Sequence, residues 1–152
     1  MTVPGGKTSR FLTIPHRSNG NIQYYGVDIT PDAAGLGSTA VEIRGNNANC
    51  RSSYPLAQRC YQILPATPQS ATVRFWYLNS ESGGQSVSQM RPYRWNSSAW
   101  EVTTAAPAPR GTVGVYEWVE AVGVNTTGEF ALADSQPGFV ATDFLYLPYV
   151  DR

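Results

Sequence analysis

A chain of 152 residues has the length of one domain, and a compact domain of this size buries about 70% of the surface that its unfolded chain exposes. The 11 basic and 11 acidic residues balance and make up only 14% of the chain, so no basic field favours a nucleic-acid partner. No apolar run approaches the roughly 18 residues that a membrane helix needs, and we therefore expect no membrane insertion.

The N-terminal segment carries two weak signals. Residues 1–6 lack the features of a signal peptide, so for an exported protein we expect the signal to have stood upstream in a longer native chain. Gly6-Lys7-Thr8 ends like a phosphate-binding loop, but the full pattern needs a glycine where Met1 stands, a preceding strand and a following helix. The segment is therefore predicted to be a flexible terminus.

Turn-forming residues punctuate the whole chain. The 14 glycines and 11 prolines interrupt every helical period, and turn clusters recur about every ten residues, as in sandwiches and barrels. The predicted strands are Arg10–Ile14, Ile22–Ile29, Thr39–Arg44, Cys60–Leu64, Thr72–Leu78, Gln89–Trp95, Trp100–Thr103, Val113–Val122, Glu129–Ala133 and Asp143–Tyr149. They predict an all-β fold, a two-sheet antiparallel β-sandwich of about 8–10 strands of immunoglobulin-like or jelly-roll-like type. We expect one sandwich domain over residues 1–141, with residues 104–111 as a long connection, and an apolar tail strand over 142–152.

Alternation of side chains predicts which face of the strand Thr72–Leu78 points to the core. Val73, Phe75 and Tyr77 share one side of their strand, which predicts that they face the core. Trp76 points the other way and is predicted to be an exposed or edge aromatic. Periodicity does not decide which side of 113–122 faces the core.

Cys50 and Cys60 are the only cysteines and flank a turn that contains Pro55. In a secreted chain such a pair most simply forms a disulfide. The alternatives are two buried thiols or half of a metal site. A zinc site would need further Cys or His ligands, and His16 is the only histidine.

The second half of the chain resembles the C-terminal β-sandwich modules of large secreted and cell-surface bacterial proteins. The recurring segments of those modules, "RFYYLDSE", "YRWDGSSW", "WVEASGV" and "FALA", correspond here to Arg74–Glu81, Tyr93–Trp100, Trp118–Val124 and Phe130–Ala133. The resemblance covers roughly residues 45 to 134. It implies an extracellular surface domain, and its motifs include no catalytic residue.

Catalytic groups are sparse. His16 stands at the end of a predicted strand without a Gly-x-Ser-x-Gly turn, which favours a solvated side chain over a member of a triad. Glu117 and Glu120 lie three residues apart on a predicted strand and therefore on opposite sides, unlike a glycosidase pair. We expect them to form surface charge pairs with nearby arginines, and we expect no enzymatic activity.

No cofactor is expected, although calcium is an alternative because surface β-domains bind it with loop oxygens. The spacing of the candidate calcium ligands matches no known calcium loop. The candidate ligands are Asp28, Asp32, Asn46, Asn47 and Asn49.

Aromatic residues suggest a glycan platform. Four Trp, nine Tyr and five Phe are available, and planar rings on a sheet surface can stack on sugars. The competing interpretation is that the same rings fill the core or stabilise hairpins, as Trp95 and Trp100 would do opposite one another. The candidate glycan-binding residues are Trp76, Tyr93, Trp95, Trp100 and Trp118.

The C-terminal tail, residues 142–152, is apolar on both faces, so a strand there should be covered on both sides. Pro148 cannot donate a ladder hydrogen bond and ends the pairing or places it at a sheet edge. We predict that an edge strand docks within its own sandwich or into a neighbouring molecule. The residues of this strand are Phe144, Leu145, Tyr146 and Leu147.

Together these patterns predict a non-enzymatic extracellular module of a bacterial surface or secreted protein, with a structural or interaction role. Its expected partners are other domains of a larger protein or further copies of itself. One alternative is a carbohydrate-binding module. The other is a subunit of an extracellular filament or sheath that assembles by strand exchange.

Overall fold

A computed structural model describes residues 1–13, 24–45, 50 and 56–136. The strands are β1 Thr2–Val3, β2 Ser9–Thr13, β3 Tyr24–Pro31, β4 Gly37–Gly45, β5 Arg59–Pro65, β6 Ser70–Leu78, β7 Arg91–Trp95, β8 Trp100–Val102, β9 Arg110–Val113, β10 Tyr116–Asn125 and β11 Gly128–Ala133. Single 3-10 turns occupy Asn79–Glu81 and Val87–Gln89. The strands form two antiparallel sheets, one of six strands in the order β1-β4-β5-β11-β7-β8 and one of five in the order β2-β3-β6-β10-β9. The predicted all-β, two-sheet antiparallel fold is confirmed.

The N-terminus differs from its prediction. Thr2–Val3 pairs with Gly37–Ser38 of β4, and the Val3 side chain is fully buried. The prediction of a flexible terminus is therefore wrong, because one buried valine and a short ladder attach the segment to the edge of the six-stranded sheet.

The predicted strand over 113–122 is in fact part of a hairpin. Gly114 has a φ of +61°, which glycine adopts without steric cost, and the chain reverses between Val113 and Tyr116. Arg110–Val113 then pairs with Tyr116–Val119. The predicted long connection over 104–111 is therefore too long by two residues, and β9 forms the edge of the five-stranded sheet.

The main core lies between the two sheets. Val73, Phe75 and Tyr77 of β6 are fully buried, which confirms their predicted facing. The Phe75 ring packs against Tyr61 of β5 and Phe130 of β11, with ring centroids 5.0 and 5.2 Å apart. These contacts join the middle strands of both sheets, so these three rings serve as core.

The predicted disulfide is confirmed. Cys50 and Cys60 are bonded, with their Cα atoms 5.9 Å apart, within the normal range. Cys60 belongs to β5 and is buried. The bridge therefore joins Cys50 to β5, an inner strand of the six-stranded sheet.

A buried arginine lies beside the bridge and links the two sheets. Arg59, at the start of β5, is 4% exposed. Its guanidinium donates to the backbone carbonyls of Tyr25 and Trp76, each at 3.0 Å, and to the Glu81 carboxylate at 2.8 Å. The Tyr61 hydroxyl donates to the same Trp76 carbonyl at 2.7 Å, and burial raises the pKa of Tyr61.

Candidate functional site on the outer face of the five-stranded sheet

The outer face of the five-stranded sheet carries side chains in three rows that cross the strands. Strand register puts Arg10 opposite Asp28, Asp28 opposite Arg74, and Arg74 opposite Glu120. One neighbouring row consists of threonines and the other of aromatic rings. The threonines are Thr8, Thr30 and Thr72, and the rings are Tyr25, Trp76, Tyr116 and Trp118.

Charges alternate along the middle row. Arg10 donates from Nε and Nη2 to the two carboxylate oxygens of Asp28, at 2.6 and 2.7 Å. Arg74 donates from Nε and Nη2 to a single oxygen of Glu120, at 2.8 and 2.6 Å. The hydrogen bonds that Arg10 donates to Asp28 raise the pKa of Arg10. Each cation therefore has an anion beside it, and the four formal charges of the row cancel.

Trp76 lies beneath this row and is only 2% exposed. Its indole Nε1 donates to Asp28 at 3.0 Å, and the guanidinium carbons of Arg10 and Arg74 lie 5.4 and 5.8 Å from its ring centre. The prediction of an exposed or edge aromatic is wrong. The outer face of the sheet is covered by its own long side chains, which shield a ring that alternation alone would leave in solvent.

Trp118 is half-buried and in contact with its neighbours. Its ring lies over Gly111 of β9 so closely that a Cβ atom at that glycine would come within 2.6 Å of the indole. The Arg74 guanidinium lies 3.9 Å from the ring centre. Gly111 is therefore the residue that lets this ring lie flat across the sheet.

A shallow concavity opens between the charged row and the threonine row. Its volume is about 160 Å³. Its lining combines hydroxyl, guanidinium and carboxylate groups, which both donate and accept hydrogen bonds. The lining residues are Thr8, Arg10, Asp28, Thr30, Thr72, Arg74 and Glu120.

The other predicted glycan-binding rings lie on the six-stranded sheet. Tyr93 is fully buried and Trp100 is 5% exposed, and both belong to a small cluster that also contains Leu56. Trp95 is half-buried and meets Trp100 edge to face at 5.4 Å, as expected for a stabilised hairpin. The structure does not bring the five predicted rings together, and three of them are too buried to stack on a sugar.

The remaining predicted site residues are dispersed. Asp28 accepts hydrogen bonds from Arg10 and Trp76, and Asp32 accepts one from Ser70. Glu120 pairs with Arg74 as predicted, whereas Glu117 accepts from Thr112 at 2.8 Å. Several predictions lie outside the described residues: those for His16, Asn46, Asn47, Asn49, Phe144, Leu145, Tyr146 and Leu147.

Sequence reasoning missed the concavity. Alternation along β6 puts Thr72 and Arg74 on the same side as Trp76, and this is the only local signal for this face. Arg10 and Asp28 belong to other strands, and only the register across the sheet brings them to Arg74. Pairing at such sequence distances leaves no periodic trace.

In the part of the chain that the structure describes, no helix is long and apolar enough to cross a membrane. Within the same ranges, no group of three or more His, Cys, Asp or Glu side chains could hold a metal ion. Comparison with models of known protein families, with curated proteins and with solved structures finds no match for this chain.

Proposed function

We propose that this protein is a non-enzymatic extracellular module of a bacterial surface or secreted protein, with a structural or interaction role. The observation that carries the proposal is the Cys50–Cys60 disulfide, since structural bridges of this kind form and persist in oxidising compartments. The resemblance of the 74–133 segments to modules of secreted bacterial proteins supports the same placement.

The use of charged groups on the candidate face supports a non-catalytic role. Arg10–Asp28 and Arg74–Glu120 are short ion pairs between neighbouring strands. In each pair the carboxylate accepts two hydrogen bonds from the guanidinium beside it, so both groups already have a structural partner. These groups are arranged to hold a surface together.

The compartment and the absence of catalysis can be tested on one preparation. Protein purified from its native host without reductant and then denatured is expected to show no titratable thiol. A hydrolase screen of the wild type and of His16→Ala is expected to show no activity that depends on His16. Two free thiols per chain would contradict the extracellular assignment, and activity lost in a folded His16→Ala variant would contradict the non-enzymatic one.

Self-assembly through the tail is a second candidate, favoured by the position of Gln136. The hydrogen-bonded pairs of the β7–β8 hairpin include Asn96 with Ala99 and Pro92 with Thr103, so Trp100 directs its backbone groups away from β7. Gln136 donates from Nε2 to the Trp100 carbonyl at 2.6 Å. Gln136 therefore lies beside the outer edge of β8, an edge that an added strand could pair with.

Deleting residues 142–152 tests the predicted tail strand over Phe144–Leu147. If the strand pairs within its own sandwich, the truncated protein is expected to melt at a lower temperature. If it pairs with a neighbour, the truncated protein is expected to lose oligomers in light scattering. Removing only residues 151–152 is the matched control and should change neither property. An unchanged melting temperature and an unchanged mass after the longer deletion would exclude both roles.

A further inference from the structure

We infer that the concavity on the outer face of the five-stranded sheet is a binding site for one neutral sugar ring of a polysaccharide. The inference deepens the proposed interaction role and rests on it, because it gives the module a ligand. The site is distinct from the β7–β8 hairpin of the six-stranded sheet, which carries Trp95 and Trp100.

The size of the concavity fits a single ring. Its volume of about 160 Å³ is below the roughly 300 Å³ or more of pockets that hold drug-sized ligands, which favours a ligand of the size of one sugar ring. The site opens to solvent, so a polymer can extend beyond the bound ring.

The charges of the lining favour a neutral ligand. Two cations and two anions form the middle row, and both arginines already bind carboxylates. An anionic ligand would have to compete with Asp28 and Glu120 for the same guanidinium groups. A polyol avoids that competition because it can bind without separating either ion pair.

The lining retains hydrogen-bonding capacity that suits hydroxyl groups. Each guanidinium has five N–H donors. Arg10 uses two of them for Asp28, and Arg74 uses two for Glu120. Both Arg74 bonds go to Oε1 of Glu120, and Oε2 can accept a hydrogen bond from a ligand hydroxyl. Thr72 adds a hydroxyl at the β6 end of the threonine row, where it can donate and accept.

The rigidity of the site supports binding as well. The Trp76 indole holds Asp28 from below at 3.0 Å, and Asp28 in turn holds Arg10 with two hydrogen bonds. Side chains fixed in this way lose little further conformational freedom when a ligand binds. The surface is therefore organised before it meets a sugar.

The test is affinity electrophoresis of the full-length protein in native gels that contain a glucan, mannan, galactan or xylan, with polygalacturonate as an acidic comparison. At least one neutral polysaccharide is expected to retard the wild type. Thr72→Val removes one hydroxyl at nearly constant volume and is expected to weaken binding about 2- to 10-fold. Thr72→Tyr fills the concavity and is expected to abolish retardation, with melting temperatures confirming that each variant is folded.

Trp95→Ala is the matched control on the opposite sheet and is expected to leave retardation unchanged. If Trp95→Ala abolishes retardation and a folded Thr72→Tyr variant is still retarded, the sugar site lies on the β7–β8 hairpin and not in the concavity. Retardation by polygalacturonate alone, or by no polysaccharide, would overturn the neutral-sugar assignment. The thiol titration tests the proposed extracellular role and does not depend on sugar binding. Either proposal can therefore fail while the other stands.

Discussion

Replacing Arg59 with methionine is expected to lower the free energy of unfolding by about 3–5 kcal/mol, the range seen when one partner of a buried ion pair is removed. The variant would leave the Glu81 carboxylate, whose side chain is 16% exposed, without its guanidinium. It would also strip the carbonyls of Tyr25 and Trp76 of a donor, at the point where β5 meets the five-stranded sheet. Methionine keeps most of the buried volume, so the loss reports hydrogen bonds and charge rather than a cavity.

Chemical denaturation of wild type and variant provides the measurement. Arg44→Met is the matched control, because Arg44 pairs with Glu42 at the surface, where side-chain exposures are 26% and 57%. Exposed pairs of this kind contribute about 0–1 kcal/mol. Adding Glu81→Gln to Arg59→Met is expected to recover part of the loss, since it removes the uncompensated charge. A loss below about 1 kcal/mol in Arg59→Met would show that Arg59 does not link the two sheets energetically.

Removing the disulfide is expected to destabilise the protein by about 3 kcal/mol on the chain-entropy treatment, for cysteines separated by 10 residues. For a domain of this length, a change of that size corresponds to roughly 6–12 °C in melting temperature. The effect acts through the unfolded chain, which gains freedom when the loop is opened. We therefore expect the folded Cys50→Ala/Cys60→Ala variant to keep the circular dichroism spectrum of the wild type.

Calorimetry with and without reductant distinguishes the bridge from the side chains. The wild type should melt at a lower temperature in reductant, and the double alanine variant should melt at the same temperature in both buffers. Reduction of the folded protein should be slow, because Cys60 is only 2% exposed. A wild type whose melting temperature is insensitive to full reduction would contradict a stabilising role for the bridge.

Local pattern was sufficient for the fold class and for the facing of β6. Glycine and proline spacing excluded helices, and alternation placed Val73, Phe75 and Tyr77 in the core, where they are fully buried. Both signals are short-range, since a strand alternates with a period of two whatever its partners are. The disulfide followed from the presence of only two cysteines.

Local pattern failed where the partner of a segment mattered. The 113–122 stretch looked like one strand, yet Gly114 turns the chain back so that β9 can pair with β10. Trp76 alternates away from the core but is covered by arginines of β2 and of its own strand. Burial depends on what lies above a side chain, and that neighbour can come from any part of the chain.

The sequence by itself determined the strand content, the core face of β6 and the pair of cysteines that could bond. Only the tertiary structure decided the candidate site. Arg10 meets Asp28 across 18 residues of sequence, and Arg74 meets Glu120 across 46. Such contacts are set by strand order and register, and a shift of one residue in either pairing would move a charged side chain to the opposite face of the sheet.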